Sequence, residues 1–244
     1  MTSHSPGPGA AAASGRPRVL VTGFEPFGGD PGNPSEHAVR ALGTQLDDLA
    51  DLTAEILPVE YARAQARLRE LMAETSPAVI VCVGLAGGRA EITPERIAVN
   101  LAEARIPDNA GAQPIDEPLV AGAPPARFST LPVAAMAEAV RAAGVPAAVS
   151  YSAGTFVCNA VMFAGLDAAA AIGATGYPAP IAGFVHVPRE AEDRGRPAGG
   201  AAEEHALPQH LIDAGVLAAV RAAVDHAGRS PMAGAARGAV GAED

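Results

Sequence analysis

The chain has 244 residues, and its 17 basic and 27 acidic side chains leave a formal net charge of −10. That balance argues against nucleic acid or an anionic membrane surface as a partner. Hydrophobic residues make up 49% of the sequence, but only 4% are aromatic and Trp is absent, so the core has to be assembled from Ala, Val, Leu and Ile. Residues 1–16 are low in complexity and lack the apolar centre of a secretory signal, and they are predicted to form a disordered tail. Pro17 to Val21 reads as the first buried strand. It runs into a loop, Thr22 to Pro34, that holds Phe24 and Phe27, two of only six phenylalanines. The loop is rich in glycine but lacks Gly-x-Gly-x-x-Gly, and its prolines remove amides that would cradle phosphate. It either folds back on the core or lends its rings to the wall of a ligand pocket.

Ser35 to Leu49 carries a helical pattern with Ser35 as N-cap; Thr53 to Val59 reads as a strand and Glu60 to Thr75 as an amphipathic helix. Ala78 to Val83 is a buried strand with Cys82 in its middle. Strands alternating with helices of this length predict an α/β fold. The expected architecture is a single-domain α/β/α sandwich over residues 17–227, with a twisted, mostly parallel (mixed) central sheet flanked by helices and a mobile C-terminal tail at 228–244.

Gly84 to Asn100 leaves the third strand through a run of glycines. Within it, Glu95-Arg96 lies among the apolar Ile92, Ile97 and Val99. Such a pair is either a surface salt bridge or a partly buried carboxylate in need of a partner. Ala102 to Pro125 looks irregular and suited to covering a site. Phe128 to Leu131 reads as a short edge strand, and Pro132 to Ala143 as a helix closed by Gly144. Ala147 to Val149 reads as another buried strand, which breaks at Ser150-Tyr151-Ser152-Ala153-Gly154. Apolar residues at helical spacing follow, at Val157, Val161, Met162, Leu166 and Ala169. Cys158 therefore falls in the first turn of a helix, where unpaired N–H groups and the helix dipole favour a thiolate and lower the cysteine pKa. After a Gly/Pro-rich connection, Ile181 to Pro188 reads as a strand with His186 near its end. A last helix covers Leu207 to Ala227.

Two cysteines do not make a disulfide framework, and no apolar run reads as a bilayer span, so a reducing, cytoplasmic setting is expected. Of the six histidines, His4 lies in the tail, His37 in the first helix, and His205, His210 and His226 in or beside the last helix; only His186 sits at a strand end. The sequence carries no metal-ligand spacing, no carboxylate cluster and no Walker-type loop, so neither a metal nor a cofactor is expected. What remains is a cysteine at a helix start, a histidine at a strand end and a carboxylate after a strand. On one sheet edge, these form a constellation for nucleophilic acyl transfer.

Four stretches (Phe24 to Gly29, Gly84 to Asn100, Ser152 to Asn159 and Phe184 to Pro188) resemble the pyroglutamyl-peptidase I, or pyrrolidone-carboxylate peptidase, family of cysteine peptidases. Arg105 to Asn109 and Gln113 to Asp116 match it as well, and the likeness runs over roughly residues 17–226. The resemblance implies an omega exopeptidase that hydrolyses the bond after an N-terminal pyroglutamyl residue of peptides through a thioester. It also implies a triad of Glu95, Cys158 and His186, with Arg105 near the oxyanion and no cofactor. Assembly into a homo-oligomer, dimer or tetramer, follows from it too. Pyroglutamate is a flat, uncharged lactam, so its pocket should be apolar and free of acids. Phe24, Phe27 and Phe156 are expected as walls and Asn33 as a polar contact. The chain departs from the family at Leu85, where Gln is common, and in the charged stretch Arg189 to Asp193. The rival readings are a related cysteine amidohydrolase of small amides and a non-catalytic homologue that binds a lactam-like ligand.

Overall fold

The computed structural model of the protein describes residues 15–191 and 206–229. In chain order it comprises β1 (Arg18–Phe24), α1 (Pro34–Leu42) with a 3-10 turn behind it (Gly43–Leu46), β2 (Asp51–Leu57), α2 (Tyr61–Thr75) and β3 (Val79–Leu85). Three short strands follow, β4 (Thr93–Pro94), β5 (Ile97–Val99) and β6 (Ala126–Phe128), and then α3 (Val133–Ala142) and α4 (Val157–Ala174). The chain continues with β7 (Ile181–Val187), β8 (Arg189–Glu190), β9 (Ala206–Leu207) and α5 (Gln209–Arg229).

The central sheet runs β2-β1-β3-β7-β4, parallel except for β4, which is antiparallel to β7. This is the mostly parallel α/β architecture expected. Its strands read as unbroken apolar runs because helices cover both faces. Successive side chains alternate between those faces. Val19, Val21, Val79, Val81, Val83, Val185 and Val187 pack under α1, α3 and α5, while Leu20, Ile80, Cys82 and Phe184 pack under α2 and α4. By the same alternation Gly84 and His186 belong to the α4 face, which is what brings the site together.

Several local expectations change. Asn33, not Ser35, caps α1, its Oδ1 accepting from Ser35 N at 3.1 Å, and the helix stops at Leu42. Ala147 to Val149 does not join a regular ladder. It touches the sheet edge through single bridges, Ile92 to Ala147 and Glu95 to Ser150, because Pro94 and Pro146 lack the N–H groups a ladder needs. The edge strand near Phe128 lies earlier, at Ala126–Phe128, paired with β5. Helix α4 has 18 residues and a mean hydropathy of 1.6, long and apolar enough to span a bilayer, contrary to the expectation that no run would be. It is apolar nearly all round because it lies in the core, with Ala160, Met162 and Phe163 almost wholly buried. Arg16, placed in the tail by sequence, is already paired with Asp51 at 3.3 Å, and α5 runs two residues past Ala227 to Arg229. His4, His205 and the remaining tail residues lie outside the described residues.

Candidate active site

The β3–β7 register sets Gly84 directly beside His186, one strand spacing of about 4.8 Å apart. A side chain at position 84 would point toward α4, and there is no room for one. A Cβ built on Gly84 would lie 2.9 Å from the Sγ of Cys158 and 2.7 Å from the ring of Phe184. The sulfur thus lies against the space that Gly84 leaves on the strand beside His186. Cys158 gets there because α4 begins at Val157, after a turn whose Gly154 sits at φ +76°, a conformation glycine adopts without strain.

His186 is 4% exposed and its Nδ1 donates to Glu95 Oε1 at 2.7 Å. A carboxylate acceptor on Nδ1 fixes the tautomer and leaves Nε2 with the basic lone pair. Glu95 itself is completely buried. Of the two readings the sequence leaves open for Glu95-Arg96, the buried carboxylate is the one found, and its cationic partner is Arg89 rather than Arg96. Arg89 Nη1 donates to Glu95 Oε1 at 2.5 Å and also to Thr93 Oγ1, while Nη2 donates to Ser152 O at 2.9 Å. Glu95 Oε2 is buried with no hydrogen-bond partner among the described residues.

These surroundings set the charges. Burial works against a charged Glu95, but His186, then the neighbouring Ser150 hydroxyl and Arg89, outweigh it and hold the carboxyl below its ordinary range. Burial also pushes the His186 pKa down, with Arg89 adding to the effect and Glu95 opposing it, so the imidazole rests neutral. Cys158 differs from the sequence expectation of a thiol lowered by the helix start. Burial, then the Glu95 charge and Cys82, push it up to about 12, against smaller opposing pulls from Arg89 and its own backbone amide. The thiol is protonated at rest because burial and the Glu95 charge both disfavour the thiolate.

A cavity of about 450 Å³ opens over these groups, a size suited to a small ligand. Phe24, Phe27, Phe156, Val59, Leu85 and Val157 supply its apolar wall, and Asn33, Arg89, Cys158 and His186 are among its polar lining. None of the described residues lining it is acidic. Phe27 and Phe156 face each other at 6.0 Å, and Tyr61 meets Phe156 edge-on at 5.5 Å while its hydroxyl donates to Thr155 O at 2.8 Å. The two readings of the first loop both hold in part: Phe24 is 2% exposed and belongs to the core as well as the wall, whereas Phe27 is partly buried, packed against the edge of the core where it lines the cavity. Asn33 reaches the cavity with its amide already engaged, Nδ2 donating to Glu25 O at 3.0 Å. The structure does not bring Arg105 to the lining. Its side chain is exposed, and its carbonyl accepts from Gln113 Nε2 at 3.3 Å.

Two residues here were not singled out by sequence. Arg89 was hidden in a glycine-rich turn, where a lone cation reads as surface. Asn159, wholly buried beside Cys158, binds Val99 N and O at 2.9 Å and Leu101 O at 3.1 Å, fastening the chain beyond Glu95 to α4. Its signal was a polar side chain within the apolar first turns of the helix.

A profile of the pyroglutamyl peptidase family matches residues 17–229. The pyrrolidone-carboxylate peptidase of Cupriavidus necator is 47% identical over 206 residues, spanning 84% of this chain and 92% of that one. The enzyme of the same name from Pseudomonas fluorescens is 50% identical over 171 residues, 70% of this chain and 78% of its own. Among solved structures, pyroglutamyl peptidase I from Bacillus amyloliquefaciens superposes with a TM-score of 0.78 at 39% identity, covering 87% of this chain and 97% of that one. Pyrrolidone carboxyl peptidase from Thermococcus litoralis gives 0.76 at 38% identity, with 86% and 94% covered.

Proposed function

Because the chain belongs to the pyroglutamyl peptidase family, we propose that it is a cysteine exopeptidase that removes N-terminal pyroglutamate from peptides, with Cys158 as nucleophile, His186 as base and Glu95 as its orienting acid. The observation that supports this reading is that the Cys158 sulfur lies against the gap at Gly84, the residue in register with His186, and that both side chains line one apolar cavity without acids. A free amino terminus brings an ammonium charge that such a cavity leaves unpaired, whereas a lactam brings none.

With thiol and imidazole both neutral at rest, the thiolate forms as it attacks. Nε2 of His186 takes the Cys158 proton while Sγ adds to the carbonyl that joins pyroglutamate to the next residue. Glu95 holds the imidazolium through Nδ1. The oxyanion meets the first N–H groups of α4, which have no intrahelical acceptor and, with Phe156 at the N-cap, no side-chain cap. The imidazolium then protonates the leaving amine as the C–N bond breaks, giving a thioester. Water, deprotonated by His186, releases pyroglutamate and returns the proton to sulfur.

The peptidase unit proposed here spans residues 17–227. Assembly as a dimer or tetramer and a cytoplasmic location belong to the same proposal, the first resting on family likeness and the second on two unpaired cysteines, Cys82 and Cys158. Light scattering on the purified chain tests the assembly. The activity is tested with a panel of pyroglutamyl, prolyl and glutaminyl reporter amides, with and without iodoacetamide. Turnover should be confined to the pyroglutamyl substrate and abolished by the alkylator; preference for the glutaminyl amide would overturn the reading.

A further inference from the structure

The mechanism above leaves one cation in the cavity wall without a task. Arg89 reaches it from the turn after β3, which is closed by Ala86 N donating to Val187 O at 2.8 Å and Arg89 N donating to Ala86 O at 3.0 Å. The turn is also covered from outside: a Cβ at Gly87 would lie 2.7 Å from Nε of Arg189, which is itself paired with Asp30 at 2.8 Å. From this fixed base the guanidinium spans two segments. It holds Thr93 and Glu95 on one side, and on the other the Ser152 carbonyl, in the turn that delivers Cys158.

Both donors to Glu95, His186 and Arg89, converge on Oε1, and Oε2 has no partner among the described residues. The carboxylate's orientation therefore depends on both donors. Its charge is held by His186 first and then by the Ser150 hydroxyl and Arg89, and with the imidazole neutral at rest Arg89 is the cation of the group. The charged groups acting on His186 are Glu95 after β4 and Arg89 from its turn; Cys158 from α4 lines the same cavity, with Cys82 deeper on the same face. With Arg89⁺ and Glu95⁻ the resting cluster sums to zero. It still sums to zero when imidazolium and oxyanion form together. Without Arg89 it would rest at one negative charge at a buried carboxylate, and the imidazole would be the group to take up a compensating proton.

We propose that Arg89 is a positioning residue, which fixes Glu95 against His186 and ties it to the turn that carries Cys158. This rests on the peptidase reading, but one arm of its test does not. In Arg89→Met, kcat for a pyroglutamyl reporter amide should fall by about 10- to 100-fold, part of what general acid–base catalysis supplies, with KM changed by less than about threefold. The acid limb of kcat/KM should move to higher pH, because Arg89 holds the His186 pKa down. Arg89→Lys keeps the charge but not the fork, and should recover part of kcat and return the limb toward wild type. Arg89→Gln carries the expectations of the methionine variant should that one not fold.

Alkylation of Cys158 by iodoacetamide needs no substrate, and its onset should also move to higher pH in the neutral variants, because Arg89 pulls the thiol pKa down. Superimposable pH profiles for wild type and the neutral variants, a loss confined to KM, or a lysine variant no better than methionine would each overturn the proposal. A wild-type chain inactive on the pyroglutamyl amide would sink the peptidase reading, yet leave the alkylation comparison intact.

Discussion

Gly84 and His186 lie side by side on β3 and β7, and the side chain that Gly84 lacks leaves the space that Cys158 Sγ lies against. A methyl group at position 84 would meet the sulfur at 2.9 Å and the Phe184 ring at 2.7 Å, and Phe184 is fully buried against Phe24. The ring has nowhere to retreat, so the sulfur and the start of α4 have to move. Gly84→Ala should therefore cost about 1–3 kcal/mol in stability as overpacking, and lower kcat by on the order of 100-fold, as displacement of a reacting atom by about 1 Å does. Urea midpoints and steady-state kinetics measure the two together. A stable variant with unchanged kcat would show that the sulfur does not need this seat.

Cys158→Ala should abolish turnover of a pyroglutamyl amide while the fold persists, because the side chain makes no hydrogen bond to another residue's side chain among the described residues and its removal leaves only a small gap in a wall already open to the cavity. The second thiol provides a control. Cys82 is 1% exposed in the middle of β3, and burial pushes its pKa up to about 12. Mass spectrometry of the native chain after iodoacetamide should find label on Cys158 and none on Cys82. Label on Cys82 without unfolding would mean that the sheet opens far more readily than its packing implies.

The two phenylalanines of the first loop should separate binding from stability. Phe24 is 2% exposed, touches Phe184 at a ring distance of 6.3 Å and also lines the cavity. Phe24→Ala should cost about 3–5 kcal/mol, as loss of a buried ring does, along with binding. Phe27 packs against Phe156 in the cavity wall and is only partly buried. Phe27→Ala should raise KM with little change in the melting temperature. Equal losses of stability in the two variants would remove the distinction between core and wall.

Most of the sheet was legible in sequence because β1, β3 and β7 are buried on both faces and need unbroken apolar runs. Cys158 and His186 were legible because a strand end and a helix start are local patterns. Glu95 was less so, since its burial depends on Arg89 and His186, and the latter lies 91 positions away. The direction of the Cys158 shift was not legible at all. Helix-start arguments see the dipole of α4, but not the burial of the thiol or the Glu95 charge, which outweigh it. Arg105 shows the converse: a motif match carried it toward the site, while the fold sets its side chain in solvent. Side-chain direction in an irregular loop is set by distant packing such as Asp108, which accepts from Tyr61 N at 2.9 Å.

Stability should fall on both sides of neutrality, for reasons that can be assigned to single residues. His186 has its pKa lowered from 6.5 by burial, so the unfolded chain takes up this proton first as the pH drops, and stability is lost below about 6.5. Glu95, held below 4.5, contributes stability that is complete above that value and vanishes as pH falls through its folded pKa. The two losses therefore follow one another in the same direction. On the alkaline side the sign reverses. Cys82 and Cys158 are raised from 9.0 to about 12, so their contribution is complete below 9.0 and is lost as pH rises from there toward 12. Urea midpoints at about pH 5.5, 7.5 and 10 should trace a maximum at the middle value. His186→Gln should flatten the acid segment and Cys82→Ala the alkaline one. A wild-type midpoint as high at about pH 5.5 as at 7.5 would mean that the imidazole is charged in the folded protein, and the general-base route through a neutral His186 would fall with it.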